Sequence, residues 1–291
     1  MRSRLLLNLV LLLVVIGLAI VVLNTSSEQD KNPITRLTDL SAEEVTRIEL
    51  HRQNEQPVSL YREQDVWYMA EPYQLAANDY RVQALLRLLQ TEYRSRHNIG
   101  DRDPARYGLA NPRSTVVFND KLKIEFGNTE PLSKQRYLRI DDQLYLVSDT
   151  HYYHTVSPAT GYLSYALLPP GKITALELPE LQLSLEQGQW HSDPPHEAHS
   201  ADDFTELVAN WRSAQALRLE PYKQERLPNA NIEVQLEGRE SPVRFTLQEQ
   251  DGQPGLLRQD ARMRYVINDE IRQQLLQLPE PLPEPQLKTE N

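Results

Sequence analysis

The stretch LTDLSAEEVTRIEL (37–50) returns, altered but recognisable, as YALLPPGKITALEL (165–178). Aligned end to end without a gap, the two share Leu40/Leu168, Thr46/Thr174, Glu49/Glu177 and Leu50/Leu178, and Val45/Ile173 and Ile48/Leu176 are close swaps. In VTRIEL (45–50), Thr46, Ile48 and Leu50 alternate with other residues, two of them charged, the period-two pattern of a half-buried strand. TALEL (174–178) keeps that pattern. One strand and its lead-in are therefore written twice.

The surrounding order repeats as well. In the first half, PVSLYRE (57–63) and VWYMAEP (66–72) read as strands. NDYRVQALLRLLQ (78–90) places Val82, Leu85, Leu86 and Leu89 on one helical stripe, with Asn78 as its N-cap. In the second half LQLSLE (181–186) alternates, Trp190 follows as Trp67 did, and SADDFTELVANW (200–211) sets Phe204, Leu207, Val208 and Trp211 at the same helical spacing behind Ser200. Further on, LKIEF (122–126) matches VRFTL (243–247). A hairpin follows each: YLRIDDQLYLV (137–147), turning at Asp141-Asp142, and LLRQDARMRYVI (256–267), turning at Asp260-Ala261, with Tyr145 in the place of Tyr265. Ser148-Asp149 and Asn268-Asp269 are expected to cap short helices, the second over 269–278.

These patterns predict an α+β chain: two diverged repeats of a mostly antiparallel sheet with helices on one face, over residues 32–164 and 165–279. Two copies are too few for a solenoid. The segment 280–291 is Pro-rich and acidic and is expected to be a disordered tail.

The first 31 residues set an expectation about place. Arg2 and Arg4 precede an apolar run, Leu5 to Leu23, interrupted only by Asn8 and Gly17. At about 1.5 Å per residue such a run spans about 28 Å, close to the hydrocarbon thickness of a bilayer. A cleaved secretory signal has a shorter run of about 7–15 residues that ends at small residues, whereas this one continues through Ile20, Val21, Val22 and Leu23. An uncleaved transmembrane anchor at residues 5–23 is the expectation, with 1–31 as cytoplasmic stub, span and tether. The positive-inside rule puts the body outside the cytoplasm, on the periplasmic side of a bacterial inner membrane. The net charge of -10 argues against nucleic acid as a partner. The absence of cysteine excludes disulfides, thiolate metal sites and a thiol nucleophile.

The chain has 10 glycines, and none forms a dinucleotide or phosphate loop; G-x-S-x-G and H-E-x-x-H are also absent. No cofactor is implied. HSDPPHEAH (191–199) holds His191, His196 and His199 with Asp193 and Glu197, a donor set suited to zinc, copper or nickel. Its two prolines and lack of regular spacing make a solvated polar loop the competing reading, at the place where the first half has YQLAA (73–77). His151 and His154 of HYYH form a weaker candidate pair. The acidic pairs Asp141-Asp142, Asp202-Asp203 and Glu43-Glu44 admit hydrolysis of envelope polymers only if two carboxylates face each other across a cleft; at a turn, a helix start and a loop they are ordinary structural acids. Tyr152, Tyr153, Tyr162 and Tyr165 cluster near the junction of the halves and suit an interface, between the halves or with a partner.

ARYGLANPRSTVVF (105–118), with Tyr107-Gly108-Leu109 and Pro112 before a strand, resembles the YGL-x-x-P signature of the DUF4340 family. An N-terminal apolar span, a strand like VTRIEL and a Trp-bearing strand like VWYMAEP precede it in the order seen in that family. The resemblance covers about residues 36–280, while the motif is confined to the first half; the second has ERLPNANIEV (225–234), without the glycine. The resemblance implies an anchored extracytoplasmic α+β protein with no established activity and no catalytic residues to carry over. Relatives that resemble accessory parts of transport or gliding systems point to another envelope or membrane protein as partner. On physical grounds Gly108 is expected to supply a positive φ and Pro112 to fix entry to the strand at Ser114.

Overall fold

The structure is a computed structural model and describes residues 12, 14–17, 35–100, 102–196 and 198–279. Most of the apolar run 5–23 and the tail 280–291 lie outside the described residues. No helix among the described residues is long and apolar enough to cross a membrane.

The body consists of two antiparallel sheets with few helices. The first contains β1 (Arg47–Arg52), β2 (Val58–Glu63), β3 (Val66–Glu71), β4 (Leu75–Ala76), β5 (Tyr93–Asn98), β6 (Ser114–Phe118), β7 (Leu122–Thr129), β8 (Arg136–Ile140) and β9 (Gln143–Val147). Its strand order is β4-β3-β2-β1-β6-β7-β8-β9-β5. The second contains β10 (Ile173–Leu178), β11 (Leu181–Glu186), β12 (Gln189–Asp193), β13 (Arg218–Pro221), β14 (Ile232–Leu236), β15 (Val243–Gln250), β16 (Gln253–Arg258) and β17 (Met263–Val266), in the order β12-β11-β10-β14-β15-β16-β17-β13. Read in chain order, the two sheets have one strand order, except that the first carries the additional outer strand β4.

Register follows the same rule. Ile48 faces Leu60 in the first sheet, and Leu176 faces Leu183 in the second. On the other side, Leu50 faces Val116 and Leu176 faces Val234. These alternating apolar residues are buried, and they belong to one contiguous core that runs through both sheets. Helices α1 (Asp79–Leu86) and α3 (Ala201–Ser213) follow the Trp-bearing strands, capped by Asn78 and Ser200. Phe204, Leu207 and Trp211 of α3 turn inward, and Trp211 donates from its indole N–H to the Leu275 carbonyl of α4 (Asp269–Leu276) at 2.7 Å.

Two expectations about local structure are corrected. Ser148 and Asp149 do not cap the short helix α2 (Tyr152–Thr155), whose N-cap is His151. Asp149 instead pairs with Arg136 at 2.6 Å, since a buried guanidinium needs a carboxylate more than an exposed helix end does. The second hairpin turns over four residues, 259–262, around Asp260-Ala261, whereas the first turns over Asp141-Asp142 alone.

The junction is a zipper. Leu163 pairs with Ala77, and Asn78 N–H donates to the Tyr162 carbonyl at 2.7 Å. A few residues on, Ala166 pairs with Gln215, and Ala216 N–H donates to the Tyr165 carbonyl at 2.8 Å. The connecting segment thus joins the ladder of one half and then that of the other, which satisfies its own backbone while it locks the two together.

Candidate functional site

The Tyr107-Gly108-Leu109 motif closes a 3-10 turn over Pro104–Tyr107, opened by Asp103, whose carboxylate accepts from Ala105 N–H. Gly108 ends it with φ +71°, the left-handed conformation that glycine adopts without a Cβ penalty. A Cβ there would also stand 2.5 Å from the Asn128 side chain. The turn rests on β7: a Cβ on Gly127 would meet the Tyr107 carbonyl at 2.3 Å, Leu109 is buried beside it, and the Tyr107 ring packs edge-on against Tyr137 at 5.0 Å. Pro112 lies just before β6, where Ser114 is buried and its hydroxyl donates to the Thr155 carbonyl.

Under the motif sits a buried cation. Arg136 donates to the Gly127 carbonyl (2.5 Å), to Thr129 (3.2 Å) and through two nitrogens to Asp149 (2.6 and 2.8 Å), and its guanidinium lies 3.6 Å over the Tyr152 ring. A two-point Arg–carboxylate contact in a half-desolvated place is both strong and directional. Sequence reading names Tyr107, Gly108, Leu109 and Tyr152 separately; the fold sets the first three against Gly127 and Asn128 and the last against Arg136, which binds the Gly127 carbonyl. The one sign in the sequence is that Arg136 shares the inward period-two positions of β8 with Leu138 and Ile140.

The four junction tyrosines do not form one surface. Tyr162 is fully buried, its hydroxyl donates to the His154 carbonyl at 2.6 Å, and burial pushes its ionisation up to about 12. Tyr165 belongs to the junction zipper and Tyr152 lies beneath Arg136. Tyr153 alone of the four is widely exposed, at 66%, beside His154, with Arg81 over its ring. His154 and His151 are both shifted toward the neutral form, first by burial; then His154 and Arg87 act on His151, and Arg81 and Arg87 on His154.

The histidine loop is likewise divided. His191 stands on β12 opposite Ser184 of β11, over a shallow groove of mixed lining that also holds Glu177, Glu186 and Asp193. His196 and His199 approach one another, ring centres 6.2 Å apart; His196 Nδ1 lies 2.7 Å from the Pro194 carbonyl, and His199 Nδ1 lies 3.8 Å from an Asp203 oxygen. Among the described residues no three His, Asp or Glu side chains converge in a manner that would hold a metal ion. The acidic pairs fall into structural places: Asp141 forms the hairpin turn with φ +50°, Glu44 accepts from Ser41 N–H, and Asp203 accepts from Ser200 N–H in a reciprocal cap. Those backbone bonds hold the Glu44 and Asp203 carboxyls below their ordinary range.

A concave surface with a largely apolar wall lies in the second half, between the β11–β12 hairpin and α3. It encloses about 670 Å³ against Ile173, Leu185, Trp190 and Val208, with Lys172 and Arg212 at its rim.

Together these features define a frame of two antiparallel sheets with matching strand order, whose named motif is a buttress. The chain belongs to the family described as "Domain of unknown function (DUF4340)", which matches residues 67–232, from the Trp67 strand to the first residue of β14. No curated protein and no solved structure matches it.

Proposed function

We propose that the body is two diverged copies of one sheet unit and that the chain is held in a bacterial inner membrane by residues 5–23, with the body in the periplasm. There it serves as a non-enzymatic scaffold or accessory subunit of an envelope or transporter complex. One observation carries the reading: the residues with most chemical capacity in the family motif and its surroundings are engaged in holding the frame. Arg136 is saturated by Asp149, Gly127 and Thr129. Glu125 is buried and would be pushed toward its neutral form, but hydrogen bonds from Arg139 and Lys123 outweigh this and keep it ionised. The anchor is supported by the apolar run and by its described residues, where Leu12, Val14, Val15 and Ile16 are helical with side chains 45–55% exposed.

The test is fractionation of cells that produce the full chain, protease treatment of sealed spheroplasts, and recovery in mild detergent. The expected result is a membrane-bound chain whose body is cut from outside and which brings down a partner in fixed ratio. A chain free in the cytosol, or a body protected inside spheroplasts, would contradict it.

A further inference from the structure

The outer hairpins differ in one respect. In the first sheet β4 pairs with β3 through Tyr68↔Ala76 and Met69↔Leu75, and Ala77 N–H donates to the Trp67 carbonyl at 2.8 Å. Among the described residues β12 is the outermost strand of the second sheet. The hairpins share a register, Trp67 opposite Arg62 and Trp190 opposite Leu185. Arg62 N–H donates away from its hairpin, to the Thr46 carbonyl, and the Trp67 carbonyl accepts from the other side. That residue pair is therefore the kind whose backbone groups point outward. By the same register, the N–H and C=O of Trp190, and of Ser192 two residues on, point to the open edge.

The reason is local chemistry. YQLAA (73–77) is replaced by PHEAH (195–199). Pro195 has no N–H to give, and the sequence no longer offers the apolar residue that Leu75 supplies. His199 stands where Ala77 stood, but its N–H donates to the His196 carbonyl at 3.0 Å, inside the loop. The edge it would have closed adjoins the Trp190 groove. The groove's rim cations, Lys172 and Arg212, have no carboxylate within ion-pair distance among the described residues; Arg212 donates to the Pro169 carbonyl at 2.8 Å.

We infer that the β12 edge receives an extended segment of a partner protein, acidic and with apolar residues at alternate positions, which completes the second sheet as β4 completes the first. Main-chain bonds to Trp190 and Ser192 would supply affinity; alternate side chains against Trp190 and Val208, and acids near Lys172 and Arg212, would supply selectivity. This deepens the scaffold reading and rests on it for its setting, while the binding itself does not depend on where the protein resides.

The test is an anisotropy titration of fluorescein-labelled peptides onto the full chain in detergent micelles. One peptide carries the β4 alternation Tyr-Gln-Leu-Ala-Ala between glutamates, a second carries it between lysines, and a third has a central proline. The first is expected to saturate, and the other two to bind at least about tenfold more weakly. Ser192→Pro, tolerated at an edge strand but lacking the outward N–H, should weaken the first by about tenfold. The surface pair Lys172→Glu/Arg212→Glu should reverse the preference between glutamate and lysine flanks. No saturation by the first peptide up to about 1 mM, or binding that neither Ser192→Pro nor the charge reversal alters, would overturn the proposal. So would displacement of the peptide by anionic phosphatidylglycerol vesicles together with indifference to Ser192→Pro, since the groove would then be a lipid site. Failure of the fractionation test alone would leave the titration result standing.

Discussion

Trp67 and Trp190 hold the same register position in two sheets of one strand order, yet Trp67 is 4% exposed while Trp190 is only half-buried and walls a groove. The frame around them is common: the order of strands, the capped helix that follows, the lead-in paired with the segment after that helix through Arg36↔Glu92 and Ala166↔Gln215. The difference comes from five residues. In the first sheet, Leu75 and Ala76 pair with β3 and Ala77 N–H donates to the Trp67 carbonyl; in the second, His199 N–H donates instead to the His196 carbonyl. A strand order that occurs twice can keep its core and vary at an edge, because edges carry backbone groups that another segment can take up.

The largest expected effect compares the two tryptophans. Trp67→Ala removes a sealed core side chain and should cost about 3–5 kcal/mol. Trp190→Ala should cost about half that, because part of its surface already meets water. Urea unfolding of both variants checks this, and equal losses would break the distinction between a closed and an open edge. Next comes the buttress present in one half only. Gly108→Ala combines a left-handed φ with a clash against Asn128 and should cost about 2 kcal/mol, whereas Asn229→Ala in the corresponding ERLPNANIEV segment should be milder. Similar losses would indicate that the two segments do the same work.

The smallest effect is a pH dependence that arises in the first half. His151 and His154 are shifted toward the neutral form when folded, so the unfolded chain binds protons there more readily. Their contribution is present above the ordinary histidine value of about 6.5 and is lost as pH falls below it. Melting temperature should decline from about pH 6.5 downward, before the carboxylates titrate. The double variant His151→Asn/His154→Asn should flatten that part of the curve; an unchanged slope would place its origin elsewhere.

Much of this frame was legible beforehand because it is written in apolar alternation: Ile48 and Leu50, Leu176 and Leu178, the stripe of α1, and Phe204, Leu207 and Trp211 of α3 bury as their spacing dictates, while Val208 of that stripe is left half-buried at the groove. The outer strands β5 and β13 were not legible. Tyr93–Asn98 is mostly polar and exposed, and its pairing with β9 depends on a partner distant in sequence. The Gly108 turn could be anticipated from one residue with a special backbone demand. Its support, the Arg136 hub, could not, since Gly127, Arg136, Asp149 and Tyr152 are scattered in the chain and meet only when folded. The histidine loop stood out in the sequence for its imidazoles, but its clearest structural consequence is the strand that it fails to make.

Backbone amide hydrogen exchange tests the contrast between the two edges most directly. In the free protein, the amides of β3 that face β4 should be protected, while those of Trp190 and Ser192 on β12 should exchange rapidly. Protection of Trp190 and Ser192 equal to that of β3 would contradict the account.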